Sequence, residues 1–218
     1  MNASLKTRKN VVTFFTYLVL ILGSISMIFP FVWMVLTSFK TQAESMAIPP
    51  QILPSHWNLD SFVKALQSLP FTNLYINTGL LILFRVIFAV VFSSMAGYAF
   101  AKLRFRGREP VFRLLLMALV IPAQVAMLPL FLLMKQLGLV NTWGGVVVPA
   151  LASVFGIFLV RQYARSIPDE LLEAARIDGA SEARIFFQIV LPMLKPVLVT
   201  LAIFTFMGAW NDFMWPLI

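Results

Sequence analysis

Few residues in this 218-residue chain carry chemistry, and they are unevenly placed. There are nine acids, one histidine (His56) and no cysteine. A single histidine leaves too few ligands for a typical zinc site. The missing thiols remove disulfide frameworks and thiolate metal centres. No Gly-x-x-x-x-Gly-Lys-Ser/Thr loop is present to cradle a nucleotide phosphate. Two groupings remain. Arg85 and Asp212 each interrupt an otherwise uncharged apolar stretch. Asp169, Glu170, Glu173, Asp178 and Glu182, five of the nine acids, all fall between Ser166 and Pro196. Isolated charges in apolar surroundings suit a polar path or gate, whereas a short acidic segment of mixed polarity suits a surface that another protein approaches.

The elements that position these groups follow from composition. Hydrophobic residues make up 60% of the chain and charged residues 12%, against about 25% charged in an ordinary soluble domain. The mean hydropathy is +0.89. This excludes a disordered chain and argues against a water-soluble globule. At about 20 residues per helical span, the chain has room for five or six spans. Residues 10–39, 114–134 and 136–160 are free of charge. The reading is an all-α membrane protein with a tail at 1–10 and a first span at 11–39. Further spans run over about 74–101 (with Arg85), 114–134, 145–161 and 196–218 (with Asp212). None of these stretches alternates as a barrel strand would, and a lone helix satisfies its own backbone in lipid. The first apolar run is too long for a cleavable signal peptide.

Basic residues orient the spans. Lys6, Arg8 and Lys9 precede the first span, Lys102, Arg104, Arg106, Arg108 and Arg113 follow the second, and Arg161, Arg165, Arg176, Arg184 and Lys195 follow the fourth. Only Lys40, Lys64 and Lys135 fall on the opposite side. The asymmetry places the N-terminus in the cytoplasm. It also accounts for the net charge of +8 as topology, so no nucleic-acid partner is inferred. The segment 40–73 is then extracytoplasmic. Pro49, Pro50 and Pro54 make its start irregular, and Asn58-Leu59-Asp60-Ser61 is expected to cap a short helix through Leu66. There is no 20–50-residue repeat and no pair of inverted halves of the kind many secondary transporters carry.

The cytoplasmic segment 166–195 reads as a helical hairpin. Pro168 suits the first turn of a helix, Asp169 and Glu170 its positive end. Leu171, Leu172 and Ala175 recur at helical spacing, Glu173 and Arg176 can pair at i, i+3, and Gly179 is placed to end the helix in a left-handed cap. Ser181 can cap a second helix with Ile185, Phe186 and Ile189 as its apolar stripe. Pro192 and Pro196 break the chain before the last span. Ala174, Ala175, Gly179 and Ala180 are small enough for another backbone to come close. On physical grounds alone the hairpin is either such a docking element or an amphipathic linker packed on its own bundle.

These residues resemble a known family. Glu173-Ala174-Ala175, Asp178-Gly179-Ala180, Ile189, Leu191-Pro192 and Pro196 match the Glu-Ala-Ala loop of ABC-importer permease subunits. The resemblance extends along nearly the whole chain and narrows to the carbohydrate-uptake, maltose-type branch. Ser38-Phe39-Lys40, Pro49-Pro50, Leu53-Pro54, Asn77-Thr78, Gly97-Tyr98-Ala99-Phe100-Ala101-Lys102, Ile121-Pro122 with Pro129-Leu130, and Trp210-Asn211-Asp212-Phe213 carry it. It implies a type I importer fold and a binding-protein-dependent permease in a bacterial inner membrane that translocates a sugar. The implied partners are an ATPase dimer, a second permease in a heterodimer and an extracytoplasmic solute-binding protein. This chain would then hold no cofactor and no catalytic residue, with ATP and magnesium in the ATPase. By resemblance, Glu173, Ala174, Ala175, Asp178, Gly179 and Ala180 couple the permease to that ATPase. The family core has six spans, so the sixth is expected to be missing here.

Four residues are candidates for the translocation path: Arg85, Trp210, Asn211 and Asp212. A charge at mid-bilayer costs about 2.5–3.5 kcal/mol, so Arg85 and Asp212 each need a partner or water. A direct pair between them is disfavoured, because their depths, counted at about 1.5 Å per residue from Asn73 and Pro196, differ by several ångströms. Trp210, Phe213 and Trp215 either stack on sugar faces or anchor the span at the membrane interface. Pro122 and Pro129 are expected to kink the third span. An ABC permease for another solute, such as an amino acid or polyamine, would share the loop but lack the branch-specific motifs. An intramembrane enzyme would need paired catalytic groups at depth, and the spans hold one acid and no histidine.

Overall fold

The computed structural model describes the backbone of residues 2–217 and the side chains of residues 9–217. The side chains of Lys6 and Arg8, which enter the orientation argument, and Ile218, the last residue of the expected fifth span, lie outside the described residues. The described chain is helices joined by turns, as the composition requires. It divides into two compact units, Met1–Thr72 and Asn73–Ile218.

In the first unit, α1 (Asn2–Ser38) is apolar on every side from Val11 on, and none of its span-length window is buried. A helix with no polar face needs an apolar surrounding along its whole circumference. Beyond it the chain folds back on Lys40. The Lys40 ammonium lies 4.6 Å over the Trp33 ring and donates to the carbonyl of Gln51. A short α2 (Gln42–Ser45) is closed by a reciprocal capping box of Thr41 and Glu44. Next comes α3 (Asp60–Ser68), two residues longer than expected. Its N-cap position is Leu59, which makes no side-chain cap bond; within the segment expected to cap it, the Asn58 side chain accepts the Asp60 N–H at 2.6 Å in a local turn just before the helix.

The second unit is built on α4 (Phe71–Lys102). The elements that follow are α5 (Arg108–Ala118), α6 (Ala123–Gln136), α7 (Trp143–Val147), a 3-10 turn at Val148–Ala150 and α8 (Val154–Ala164). Then come α9 (Asp169–Ile177), α10 (Glu182–Ile185), a π-helical turn at Phe186–Val190, α11 (Leu191–Met193), α12 (Lys195–Trp210) and α13 (Met214–Leu217). Its core joins Tyr98, Val160, Leu172, Ile185, Leu194 and Leu201, so the hairpin and the spans share one apolar centre. Small residues let the helices close up. A Cβ on Gly97 would stand 2.6 Å from Val160 Cβ, and one on Gly156 would stand 2.6 Å from Ser93 Oγ and 2.9 Å from Leu201 Cδ1. Close small-residue contacts of this kind hold helices together where lipid supplies no hydrophobic drive.

Three helices are long and apolar enough to cross a membrane, or up to five if each bent pair counts as one span. Two expected spans, 114–134 and 196–218, are therefore redrawn, and of the two prolines expected to kink the third only Pro122 stands at its break. The third is α5 and α6 meeting at 105°. Its break lies at Leu119–Pro122, whereas Pro129 sits inside the continuous α6. The fifth enters through a 75° bend between Met193 and Lys195, and its helix stops at Trp210 instead of running to the chain end. Proline at the start of a helix is tolerated because its missing N–H is unused there. This is how Pro196 opens α12, and the turn itself falls at Leu194.

Candidate functional site

The hairpin after α8 is folded by local chemistry. Asp169 and Glu170 occupy the first turn of α9 and Arg176 the last, both favourable to the helix dipole. Gly179 adopts φ +77°. Its N–H donates to the Arg176 carbonyl (3.0 Å), and the Ala180 N–H donates to the Ala175 carbonyl (2.9 Å). These are the two bonds of a Schellman cap. Ser181 then caps α10 by accepting the Arg184 N–H at 3.3 Å. The second helix is only one turn long before it widens into the π-helical turn, so the expected stripe is split, with Ile185 and Phe186 buried and Ile189 half-buried.

The two faces of the hairpin are segregated. Leu172 is buried in the shared core, and Ala175 and Ala180 pack against it. Glu173, Ala174, Asp178 and Gly179 are exposed, and Ile177 stands 86% exposed between them. Of the small residues expected to admit a second backbone, Ala174 and Gly179 thus face outward. Ala175 and Ala180 are turned to the protein's own interior, because the cap that closes α9 packs them there. The expected Glu173–Arg176 pair is replaced: Arg176 Nε donates to Glu182 at 2.7 Å, across the hairpin.

Two polar ties, from Lys102 and Tyr98, fasten the hairpin to α4, and a third, from Arg161, joins α8 to α4 and α5 beside it. Lys102, at the end of α4, donates to the Ile167 carbonyl (2.5 Å) and to Asp169 (2.6 Å). The hydrogen bond from this ammonium, aided by its charge, holds the Asp169 carboxyl below its ordinary value. Tyr98 donates to Glu182 at 2.9 Å. Arg161, buried in α8, donates to the Phe100 carbonyl (3.1 Å) and to Glu109 (2.5 Å), and lies 3.8 Å over the Phe112 ring. A planar guanidinium can serve all three contacts at once. Between α4 and α9 a groove of about 860 Å³ opens, lined by Lys102, Arg104, Arg108, Asp169, Glu173 and Arg176 among others.

The second grouping lies within the spans. Arg85 and Asp212 form an ion pair at 2.8 Å, with side chains 18% and 20% exposed. The expectation against a direct pair is overturned. Asp212 is not one further step up a helix. It sits in the turn after α12 ends, where its other oxygen accepts the Trp215 N–H at 3.3 Å, and the long Arg85 side chain spans what depth remains. The pair borders a cleft of about 390 Å³ whose lining includes Gln124, Asn211, Phe213 and Trp215. Trp215 Nε1 donates to the Gly145 carbonyl at 3.0 Å. Trp210 is not part of this lining and instead stacks on Phe206 at 5.8 Å. Among the described residues, no group of three or more His, Asp or Glu side chains is placed to hold a metal ion.

Sequence reasoning missed Ile177, Tyr98 and Gln124 as site residues. An isoleucine beside Asp178 and Gly179 in a polar segment was a usable signal for the first. Tyr98 stands in the Gly97–Lys102 motif, but its tie to Glu182, like the place of Gln124 in the cleft, depends on partners far along the chain.

Comparison with known proteins places this geometry. Residues 89–218, more than half of the chain, match the family model described as binding-protein-dependent transport system inner membrane component. The arabinooligosaccharides transport system permease protein AraQ of Halalkalibacterium halodurans is 40% identical over 194 residues, covering 88% of this chain and 70% of that protein. The diacetylchitobiose uptake system permease protein NgcG of Streptomyces coelicolor is 34% identical over 203 residues, covering 92% and 67%. A solved bacterial ABC transporter involved in the import of the acidic polysaccharide alginate superposes with a TM-score of 0.85 at 26% identity, covering 94% of this chain and 73% of that one. With an all-helical bundle, a helical hairpin fastened to its core and relatives alike over most of their length, the chain belongs to the family of inner-membrane permease subunits of binding-protein-dependent ABC importers.

Proposed function

We propose that this permease imports a carbohydrate and is driven by a separate ATPase dimer that grips the outward face of the α9 hairpin. The observation that carries the coupling reading is the segregation of that hairpin. One face, Leu172 and Ile185, is locked into the bundle core, while Glu173, Ala174, Ile177 and Gly179 stand free. A solvent-facing isoleucine flanked by small residues is a contact surface in need of an apolar partner. Displacement of the hairpin is passed to α4 and α8 through Lys102, Tyr98 and the common core, so closure of the ATPase would tilt the spans. Coupling of this kind requires that the docked hairpin favour one arrangement of the spans over the other.

The orientation with the N-terminus and hairpin in the cytoplasm rests on the asymmetry of lysine and arginine. The remaining partners are a second permease, forming a heterodimer, and an extracytoplasmic solute-binding protein. The carbohydrate assignment rests on what the similar permeases are named for, oligosaccharides in both AraQ and NgcG. Arg85, Asn211 and Asp212 belong to the translocation path in this reading, and the chain itself needs no cofactor because ATP and magnesium act in the ATPase.

The chain has no cysteine, so a single Glu173→Cys change gives a unique thiol for the test. In native membranes a short bifunctional crosslinker at that thiol is expected to capture the ATPase, and the same reagent at Leu172→Cys is expected to capture nothing. Capture of the ATPase at neither Glu173→Cys nor Ile177→Cys in an intact, transporting complex would sink the docking assignment.

A further inference from the structure

The Arg85–Asp212 pair has features that a plain strut between two spans does not need. It opens onto the cleft of about 390 Å³, within the ~300–1,000 Å³ range of small-molecule sites. Arg85, Pro149 and Ala150 also line a second cleft of about 340 Å³ that extends along α12 past Thr205. Arg85 thus borders both clefts, and Asp212 only the first. The pair is also incompletely satisfied. Arg85 Nε is buried with no hydrogen-bond partner among the described residues, and a carboxylate has room for about four hydrogen bonds, of which Asp212 shows one from Arg85 and one from Trp215. Gln124 and Asn211 add two amides to the same wall, and Phe213 and Trp215 add two aromatic rings.

We propose that this cleft is a hydroxyl-binding subsite for a neutral saccharide unit, in contact with Arg85, Asp212, Gln124 and Asn211. The proposal rests on the carbohydrate reading above and names this chain as one that touches the cargo. Adjacent sugar hydroxyls each donate and accept. A guanidinium beside a carboxylate offers donors next to acceptors at matching spacing, and an amide offers both. The C–H face of a sugar ring packs on an aromatic side chain. The pair has no net charge, so a neutral polyol can enter its hydrogen-bonding pattern and leave the balance intact. A small cation or anion would take one member and leave the other uncompensated inside the span, which is strongly unfavourable.

The test uses the assembled importer, permeases with ATPase, in nanodiscs without the binding protein. Saturation-transfer NMR reads binding of arabinotriose and of diacetylchitobiose, with the acidic digalacturonate as comparison. The wild type is expected to bind at least one neutral probe at least tenfold more tightly than digalacturonate. Asp212→Asn and Arg85→Gln are expected to weaken that binding tenfold or more while the ATPase stays bound. The exchange Arg85→Asp with Asp212→Arg rebuilds an ion pair, so thermal stability should return but sugar binding should not. Sugar binding that survives both single changes, that is restored by the exchange, or that does not discriminate against digalacturonate overturns the subsite. Absence of binding to either neutral probe, in a complex that transports one of them when its binding protein is added, overturns it equally. Failure of the complete importer to transport any saccharide, with the hairpin still crosslinked to the ATPase, would instead overturn the carbohydrate reading itself.

Discussion

Tyr98, one turn from the end of α4, donates its hydroxyl hydrogen to the carboxylate of Glu182 at the start of α10, 2.9 Å away and 84 positions further along the chain. Glu182 in turn holds Arg176 at the last turn of α9. The three residues form one bonded line from inside a span to the tip of the hairpin. A hydrogen bond to a charged group contributes about 1.5–3 kcal/mol; Tyr98 is only 4% exposed, but the Glu182 carboxylate is 48% exposed, which puts this bond at the lower end. Tyr98→Phe keeps the ring packed on Phe186 and removes only the bond. It is expected to lower the stability of the purified complex by about that amount and to reduce the sugar moved per ATP hydrolysed, with ATPase attachment unchanged. Parallel measurements of unfolding and of transport stoichiometry check it.

At Gly179 the left-handed backbone and the open space around it have separable consequences. A Cβ there meets nothing within 4 Å, but φ is +77°. Asparagine and aspartate enter that region more readily than other side chains, so both should preserve the cap. Gly179→Asn is expected to leave membrane insertion and most uptake intact. Gly179→Asp adds a charge beside Asp178 on the docking face, so insertion should stay normal while uptake falls tenfold or more and ATP hydrolysis is no longer coupled to it. Equal uptake by the two variants would count against a docked face at this position.

The Lys102–Asp169 pair predicts a pH dependence. The Asp169 carboxyl is held below its ordinary value by the Lys102 hydrogen bond, so the unfolded chain binds the proton more readily than the folded one. The stabilisation is present in full above the unfolded value, about 3.9. It is lost as pH falls through that value towards the lower folded one. The stability difference between wild type and Asp169→Asn should therefore be constant from pH 7 down to about 5 and vanish on further acidification. Because Asp169 is largely exposed, added salt should shrink it as well. Thermal unfolding across a pH series reads both effects.

Where α4 crosses α8, packing leaves no room. Gly97→Ala would place a methyl 2.6 Å from Val160 Cβ and 3.0 Å from the Arg161 backbone nitrogen, and overpacking of this degree costs about 1–3 kcal/mol. Val160→Ala removes only the Cγ1 part of the clash, also 2.6 Å, and leaves the Cβ contact in place. The double variant is therefore expected to lose less stability than the sum of the two single changes but to stay below the wild type, and a double-mutant cycle is the measurement.

Much of this protein was legible in one dimension. The spans, the Gly179 cap, the Ser181 cap and the Asn58 turn are all set by residues within five positions of one another, or by the length of an apolar run. Local rules suffice where the controlling interaction is local or is with the bilayer. The sequence by itself therefore determined an all-helical membrane chain, the hairpin and its family. Tertiary structure alone decided which side of the hairpin faces out, since burial of Leu172 and exposure of Ile177 depend on a core drawn from α4, α8 and α12. It also decided that Arg176 answers Glu182 rather than Glu173. The union of Arg85 with Asp212, 127 residues apart, depended on α12 ending at Trp210 and turning the carboxylate back, a bend that no helical count along the chain contains.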